Sequence, residues 1–564
     1  MLFLNFLKAV LEQLPTSTAP INQNLLKIFI VFAIALNLTG LFVTIIGPDG
    51  ALYASIAKEM AITNNYLELK YAGGDWLDKP HFPFWVTAVF FEIFGIHTWS
   101  YKLPGILFLF AGAYYTFLFS KKFYNKETSL LAVLILLTAQ HIVISNNDVR
   151  AEPYLTGLII ASVIHFHAAY AEKSFLHLLL ATLFTACSIM TKGLFAVIPI
   201  GGAIAGHLII HKDWKNLFHT RWLIAGILTL IFILPELYAL HYQFDLHPEK
   251  EVFGRKNVSG IKFFFWDSQF GRFFNTGPIK GKGDIFFFVH TTLWAFLPWS
   301  VVLFTGVFLF IKKNSQRPSN AEWLCISGSL LTFLIFSVSK FQLAHYLNIV
   351  FPFFAILAAH YLSELKIKAW SSPIYMIQVG LISIMMLAVI VIHVVYRPDN
   401  LSLFNLLLLL AFLVMLLLPG KFWNFSFKES TIYRTALAAI IINLYLNLVF
   451  YPSLVRYQSG SEAAFYINEI NISNLPVVAL HNSYHLNFYF ENQYILTDTI
   501  TEFPSRPFYI YLPCTDADKI KNQGIQLQVL KKFEDFHITI LKGSFLNKKT
   551  RSNTITEFCV GIVN

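Results

Sequence analysis

The sequence predicts an all-α polytopic membrane protein carrying a small α/β domain at its C-terminal end. Three observations carry that expectation. Of the 564 residues, 56% are hydrophobic and only 13% are charged, against roughly 25% charged in an average soluble domain. Apolar runs long enough to cross a bilayer recur, with short polar breaks, almost to residue 452. Beyond that point short β-type runs alternate with a helical one. Too little charge remains to cover a soluble surface, so most of the chain must sit in lipid. A soluble enzyme, a disordered tail and a disulfide scaffold are excluded.

Thirteen spans follow from the apolar runs: near 25–46, 101–120, 129–145, 154–171, 175–191, 194–210, 221–240, 286–310, 322–339, 345–362, 373–395, 401–418 and 432–451. The run 83–96 is shorter, and its Pro83 and Glu92 fit an interfacial helix. Basic residues test the count, because they collect in cytoplasmic loops. With 1–24 as a cytoplasmic N-terminal segment, that face holds Lys121, Lys122 and Lys126, then Lys212, Lys215 and Arg221. Lys312, Lys313, Arg317, Lys366, Lys368, Lys421 and Lys428 follow on the same side. The opposite short loops hold Lys192, Lys340 and Arg397 singly. Counting 83–96 as a span would turn the basic loops outward.

The transmembrane part is therefore 25–451, with outer loops at 47–100 and 241–285, and 452–564 forms an outer α/β domain. Its strands are expected around Val477–Leu480 and Phe508–Leu512, and a helix around Ser461–Asn468. The net charge of +10 is what basic cytoplasmic loops produce and gives no reason to expect nucleic acid. Of four cysteines, Cys187 and Cys325 fall in apolar runs, while Cys514 and Cys559 can pair only if their domain is extracytoplasmic. No Cys or His spacing suggests zinc.

The first outer loop opens Gly47-Pro48-Asp49-Gly50, and Leu52, Ile56 and Met60 then recur every four residues, predicting an amphipathic helix along the membrane. Asp49 at its start reads either as an N-cap or as a catalytic carboxylate at the membrane lip. Lys79, between Asp78 and Pro80, either snorkels to water or offers a fixed positive charge to a phosphate. In the second outer loop Asp148 and Glu152 share a face if that turn is helical, and Arg150 can pair with either. Met190-Thr191-Lys192-Gly193, Ser339-Lys340 and Arg272 place cations on the same side. A merely solvated surface would spread such groups over both faces. Their asymmetry points to a site for an anionic, membrane-bound ligand.

These residues also carry a resemblance. Asp49 with Tyr53-Ala54-Ser55-Ile56-Ala57-Lys58-Glu59-Met60, then Gly74-Asp75-Trp76, Lys79-Pro80, Lys102-Leu103-Pro104-Gly105, Thr191-Lys192-Gly193, Leu297-Pro298-Trp299, Lys340 and Tyr346 match in order. From residue 49 to about 360 the chain resembles the bacterial GT-C glycosyltransferases of the aminoarabinose-transferase and protein-mannosyltransferase-like family. The resemblance implies a polyprenyl-phosphate sugar donor and inverting transfer to lipid A, a glycan or a protein. It places the protein in the bacterial inner membrane with the active site facing the periplasm. It makes Asp49 the first acidic residue of the site, and Glu152, with Asp148 as its rival, the second. It gives Lys79, Arg272, Lys340 and Tyr346 the donor phosphate, with His345 and Tyr53 beside them as further substrate contacts.

Some relatives of that kind hold a metal with a Glu before the loop Lys and histidines in the long outer segment. Here Asp78 stands before Lys79, Ser268 and Gln269 follow Trp266-Asp267, and no His occurs from 248 to 289. No metal ligand is assigned, and a divalent cation is the one cofactor left open. The competing class is a transporter or flippase of lipid-linked sugars, which needs ionisable or helix-breaking residues near span centres. The charges gather at one lip instead, favouring an enzyme.

Overall fold

Helices dominate because in lipid a long apolar run has no other way to satisfy its own backbone N–H and C=O groups. The computed structural model describes residues 21–312, 320–364, 368–398, 425–497 and 503–564. Among them, eight helices are long and apolar enough to cross a membrane, nine if Lys126–Thr138 and Gln140–Asn147, bent by 51°, form one span. Three more expected spans are shorter or broken. Gln23–Thr39 (α1) has 17 residues; it ends where the buried Lys102 ammonium caps the carbonyls of Gly40 and Val43. The run 194–210 is an apolar helix of sub-spanning length. The run 286–310 is two helices, Phe287–Ala295 and Ser300–Lys312, separated at Pro298, which has no N–H to offer a helix. The expected span 401–418 lies outside the described residues.

The expected interfacial run forms a helix over Phe82–Phe94, 13 residues and too short to cross. The expected amphipathic helix forms over Pro48–Thr63 (α2), but it does not lie free along a membrane surface. Leu52, Ile56 and Met60 are buried, and so are Ala51, Ala54, Ser55, Ala57 and Lys58 around its other sides. The C-terminal segment explains the difference. Lys58 Nζ donates to the carbonyls of Asn487, Phe488 and Phe490, Ser55 Oγ donates to Tyr484 O at 3.3 Å, and Tyr489 Oη accepts from Ile45 N at 2.8 Å. Burial pushes the Lys58 ammonium down to about 8.

Beyond Ser459 the chain folds around a five-stranded sheet of order β4-β3-β5-β7-β6. The strands are β3 (Val477–Ala479), β4 (Ile495–Leu496), β5 (Phe508–Pro513), β6 (Leu527–Asp535) and β7 (Thr556–Val563), with β1 and β2 the short hairpin Lys70–Tyr71 and Gly74–Asp75. β3 runs parallel to β4 and β5, and β7 is antiparallel to β5 and β6. The expected helix forms over Ser459–Ile470. Cys514 and Cys559 are disulfide-bonded, at the start of a helix and within β7.

Candidate active site

Gly47 precedes α2 in an extended conformation and Pro48 takes its first position, where the missing proline N–H costs nothing. Asp49 therefore sits in the first turn instead of capping it, close to the positive end of the helix dipole. Its carboxylate is half exposed and accepts from Arg150 Nη1 at 2.9 Å. The same guanidinium binds Asp148 Oδ2 through Nε at 3.0 Å and Nη2 at 2.6 Å. Burial works against the Arg150 charge, but Asp148 and Asp49 prevail and hold its pKa above the ordinary value. A Cβ at Gly47 would fall 2.5 Å from an Asp148 carboxylate oxygen, so this approach requires glycine.

The turn after Asn147 is not helical, so Asp148 and Glu152 do not share a face. Glu152 begins the next helix, Glu152–Ala171, with its side chain 3% exposed. It forms an ion pair with Lys192, and His345 Nε2 lies 3.6 Å from the same oxygen. Lys192 Nζ in turn sits 3.9 Å from the centroid of the Tyr346 ring. Gly193, at φ 99°, ends the Lys192 helix. A Cβ there would collide with the Gln269 amide, whose Nε2 donates to Lys192 O at 3.2 Å.

Lys192 opens onto a cleft lined also by Asp78, Lys79, Arg272, Tyr346 and the aromatics Phe195, Phe273, Phe336 and Phe341. Asp78 divides its carboxylate between Lys79, at 2.5 Å, and Arg272. Arg272 Nε is buried without a hydrogen-bond partner, and its guanidinium carbon lies 5.5 Å from the Phe341 ring centroid. Three cations from three distant stretches thus meet in one aromatic-walled space.

The loop bearing Lys79 is fastened from below by the helix Arg221–Leu240 and the π-type turn His241–Asp245 that continues it. Glu236 accepts from the His81 backbone N–H at 2.9 Å and faces His81 Nδ1 at 3.0 Å. His81 Nε2 faces Leu67 O at 3.3 Å. Gln243 holds both the N–H and the C=O of Leu69, each at 2.9 Å. Lys250, from the long outer segment, bonds Glu68 at 3.1 Å and Asp75 at 3.0 Å. Burial alone would raise the Glu68 carboxyl, but Lys70 and Lys250 pull it down to about 2.

Asp49, Asp148, Glu152, Lys79, Arg272, Tyr346 and His345 all converge on this one region. Tyr53 stands beside it, its ring 6.0 Å from Trp76 and 5.5 Å from Phe84; burial pushes its phenol up. Lys340 is not brought inside. Its side chain is exposed while its neighbours Ser339 and Phe341 line the cleft, and its backbone N–H donates to Phe273 O at 3.0 Å. Two participants, Asp78 and Gln269, have no expected role in the sequence reading, and Lys192, expected there only as one more cation on this face, is the partner of Glu152. As for a divalent cation, the donor set does not fit one. Asp78 is spent on two cations, and no three His, Cys, Asp or Glu among the described residues are grouped to hold an ion.

Comparison with known proteins follows the same lines. Residues 78–238, from Asp78 to just past Glu236, match the family model described as dolichyl-phosphate-mannose-protein mannosyltransferase. An uncharacterized protein of Aquifex aeolicus is 24% identical over 80% of this chain and 82% of its own length. The undecaprenyl phosphate-alpha-4-amino-4-deoxy-L-arabinose arabinosyl transferases of Erwinia tasmaniensis and Wigglesworthia glossinidia are 22% and 24% identical over 56% and 64% of this chain. The match spans 55% and 62% of those two enzymes' own length. ArnT from Cupriavidus metallidurans, solved with undecaprenyl phosphate, superposes with a TM-score of 0.72 at 17% identity, over 95% of this chain and 98% of that one. The motif order, the family match over residues 78–238 and a fold shared end to end agree: the chain is similar to the GT-C glycosyltransferases of the aminoarabinose-transferase and protein-mannosyltransferase-like family.

Proposed function

We propose that this protein transfers a sugar, with inversion, from a polyprenyl-phosphate carrier to an acceptor presented at the periplasmic face of the bacterial inner membrane. The observation that carries the reading is the meeting of Lys79, Lys192 and Arg272 in an aromatic-walled cleft, beside a half-exposed Asp49 carboxylate. As the bond between the sugar C1 and the phosphate oxygen breaks, its electron pair stays on the phosphate. Lys79 and Arg272 receive that charge, with the Arg272 Nε–H still free to donate; preorganised cations of this kind stabilise a developing oxyanion. Tyr346 and Lys192 close the opposite wall, His345 backs Glu152, and the exposed Lys340 meets phosphate at the rim. The acceptor oxygen attacks C1 from the opposite side and gives its proton to Asp49.

The three carboxylates divide the work by exposure. Asp49 is reachable by an acceptor; Asp148 is partly buried and sets the Arg150 guanidinium that orients Asp49; Glu152 is enclosed and fixes Lys192. Tyr53 borders the sugar position. The domain 452–564 covers the helix bearing Asp49 and so forms one side of the acceptor approach. Lipid A, a surface glycan and protein are the acceptor classes to compare.

The test is transfer by the purified protein in detergent, with a polyprenyl-phosphate sugar or a nucleotide-sugar as the sole donor. The lipid-linked donor is expected to work alone. Activity with the nucleotide-sugar only would overturn the lipid-donor reading, and lipid-linked sugar crossing vesicles without transfer would favour the flippase class.

A further inference from the structure

Residues 536–551 form the edge of the C-terminal domain that meets the membrane-spanning helices. Phe536 and Phe545 stack with centroids 3.9 Å apart, and Ile538 and Phe545 bury against Tyr396, Tyr445 and Phe450. Arg551 clamps the join. It donates to Tyr396 O at 2.5 Å and to Tyr457 Oη at 2.9 Å, with its guanidinium carbon 4.2 Å from the centroid of the Tyr396 ring. Lys548 N donates to Val395 O at 3.2 Å.

That contact sets the depth of the segment. Val395 and Tyr396 end the spanning helix Pro373–Tyr396, whose last turns expose Val391 at 50% and Val394 at 59%. Bare valines on a spanning helix face lipid. The segment touching this helix end at Val395 and Tyr396 carries two exposed aliphatic side chains, Ile540 at 62% and Leu541 at 40%. Between 540 and 551 it holds Lys542, Lys548, Lys549 and Arg551 and no acidic residue, and the three lysines are exposed. No ion-pair partner is present for them among the described residues.

We infer that this edge is a lipid-contact surface: Ile540 and Leu541 enter the outer leaflet, and Lys542, Lys548 and Lys549 bind the phosphates of anionic lipid headgroups. Apolar side chains at the hydrocarbon boundary with lysines just above them are what such an interface selects. A protein partner would not need the aliphatic pair level with the last lipid-facing turn. The surface lies apart from the cleft, so it rests on the membrane reading of the chain and not on the proposed chemistry. It would hold the C-terminal domain at a fixed height over α2.

The experiment places an environment-sensitive fluorophore at position 540 (Ile540→Cys) in the full-length protein in nanodiscs, with Lys519→Cys, on an exposed helix of the same domain, as control. Lipids brominated on their acyl chains quench only what touches them. About a twofold loss of emission is expected at 540 and none at 519. In discs of phosphatidylcholine, adding phosphatidylglycerol should deepen the quenching at 540, and replacing Lys542, Lys548 and Lys549 by Ser should abolish that increment. Equal emission at 540 with and without bromine overturns membrane contact. An increment that survives the triple substitution overturns the headgroup assignment.

Discussion

The Glu236 carboxylate takes both the backbone N–H and the Nδ1 of His81, at 2.9 and 3.0 Å, with both side chains fully enclosed. A carboxylate inside an apolar helix is costly unless paired, and its partner here lies two residues beyond Lys79 with Pro80 between them. Glu236 therefore fixes where the Lys79 ammonium stands. Glu236→Ala leaves two buried N–H groups without an acceptor, at about 1–3 kcal/mol each, and should lower the thermal midpoint of the purified protein. Glu236→Gln keeps one acceptor, so it should be milder and show mainly a raised KM for donor. A Gln variant with unchanged donor KM would reduce the pair to simple packing.

Asp49→Asn keeps the shape of the side chain and its contact with Arg150 while removing the base. Transfer should fall by about 10²–10⁴-fold with undiminished membrane expression. Near-normal activity would remove Asp49 from the mechanism.

Lys79→Ala should weaken use of the donor far more than use of the acceptor, and Arg272→Ala should act in the same direction. Because Asp78 joins the two cations, their effects should be non-additive in the double variant. Steady-state kinetics with each substrate varied in turn checks the split; an equal effect on both substrates would argue for loop stability alone.

Lys58 supplies a pH signature. Its pKa is lowered to about 8 by burial, so from pH 8 up to its ordinary range near 10.5 the unfolded chain binds a proton that the folded chain does not. Stability contributed by this residue must then rise with pH across that window, by up to about 3 kcal/mol. Lys58→Met should abolish that rise, as read by thermal unfolding at roughly pH 8.5, 9.5 and 10.5.

The orientation is checked with reporters. A periplasm-specific reporter fused after residue 460 should be active and one at residue 124 inactive. The reverse pattern would invert the membrane and move the cleft to the cytoplasm.

Much of this arrangement was legible in the sequence, for identifiable reasons. Long apolar runs and short β-type runs carry their own periodicity, so helices and the C-terminal strands stand near their expected places. Asp49 and Lys79 could be singled out as charges beside apolar runs, and Arg272 as a cation on the same side that the resemblance places at the donor phosphate. Glu236, a carboxylate inside the run 221–240, carries a signal of a related kind, since a charge within an apolar run is costly unless paired. The pairings themselves were not legible. Glu152 with Lys192 and Asp78 with Arg272 join residues 40 and 194 positions apart, and no local pattern encodes such a partner. The burial of α2 was hidden for a similar reason, since its cover comes from residues more than 400 positions away.

The self-paired state of the cleft has a consequence for turnover. Lys79, Lys192 and Arg272 stand against Asp78 and Glu152, which leaves one unit of uncompensated positive charge. A sugar-phosphate-lipid diester carries a single negative charge and balances it. Once the sugar has gone, the remaining phosphate monoester ionises a second time, with a pKa of about 6, and over-fills the same cations. On the lipid-donor reading the spent carrier therefore draws on these cations more strongly than the donor does, and its release, not the chemistry, is the step expected to limit turnover.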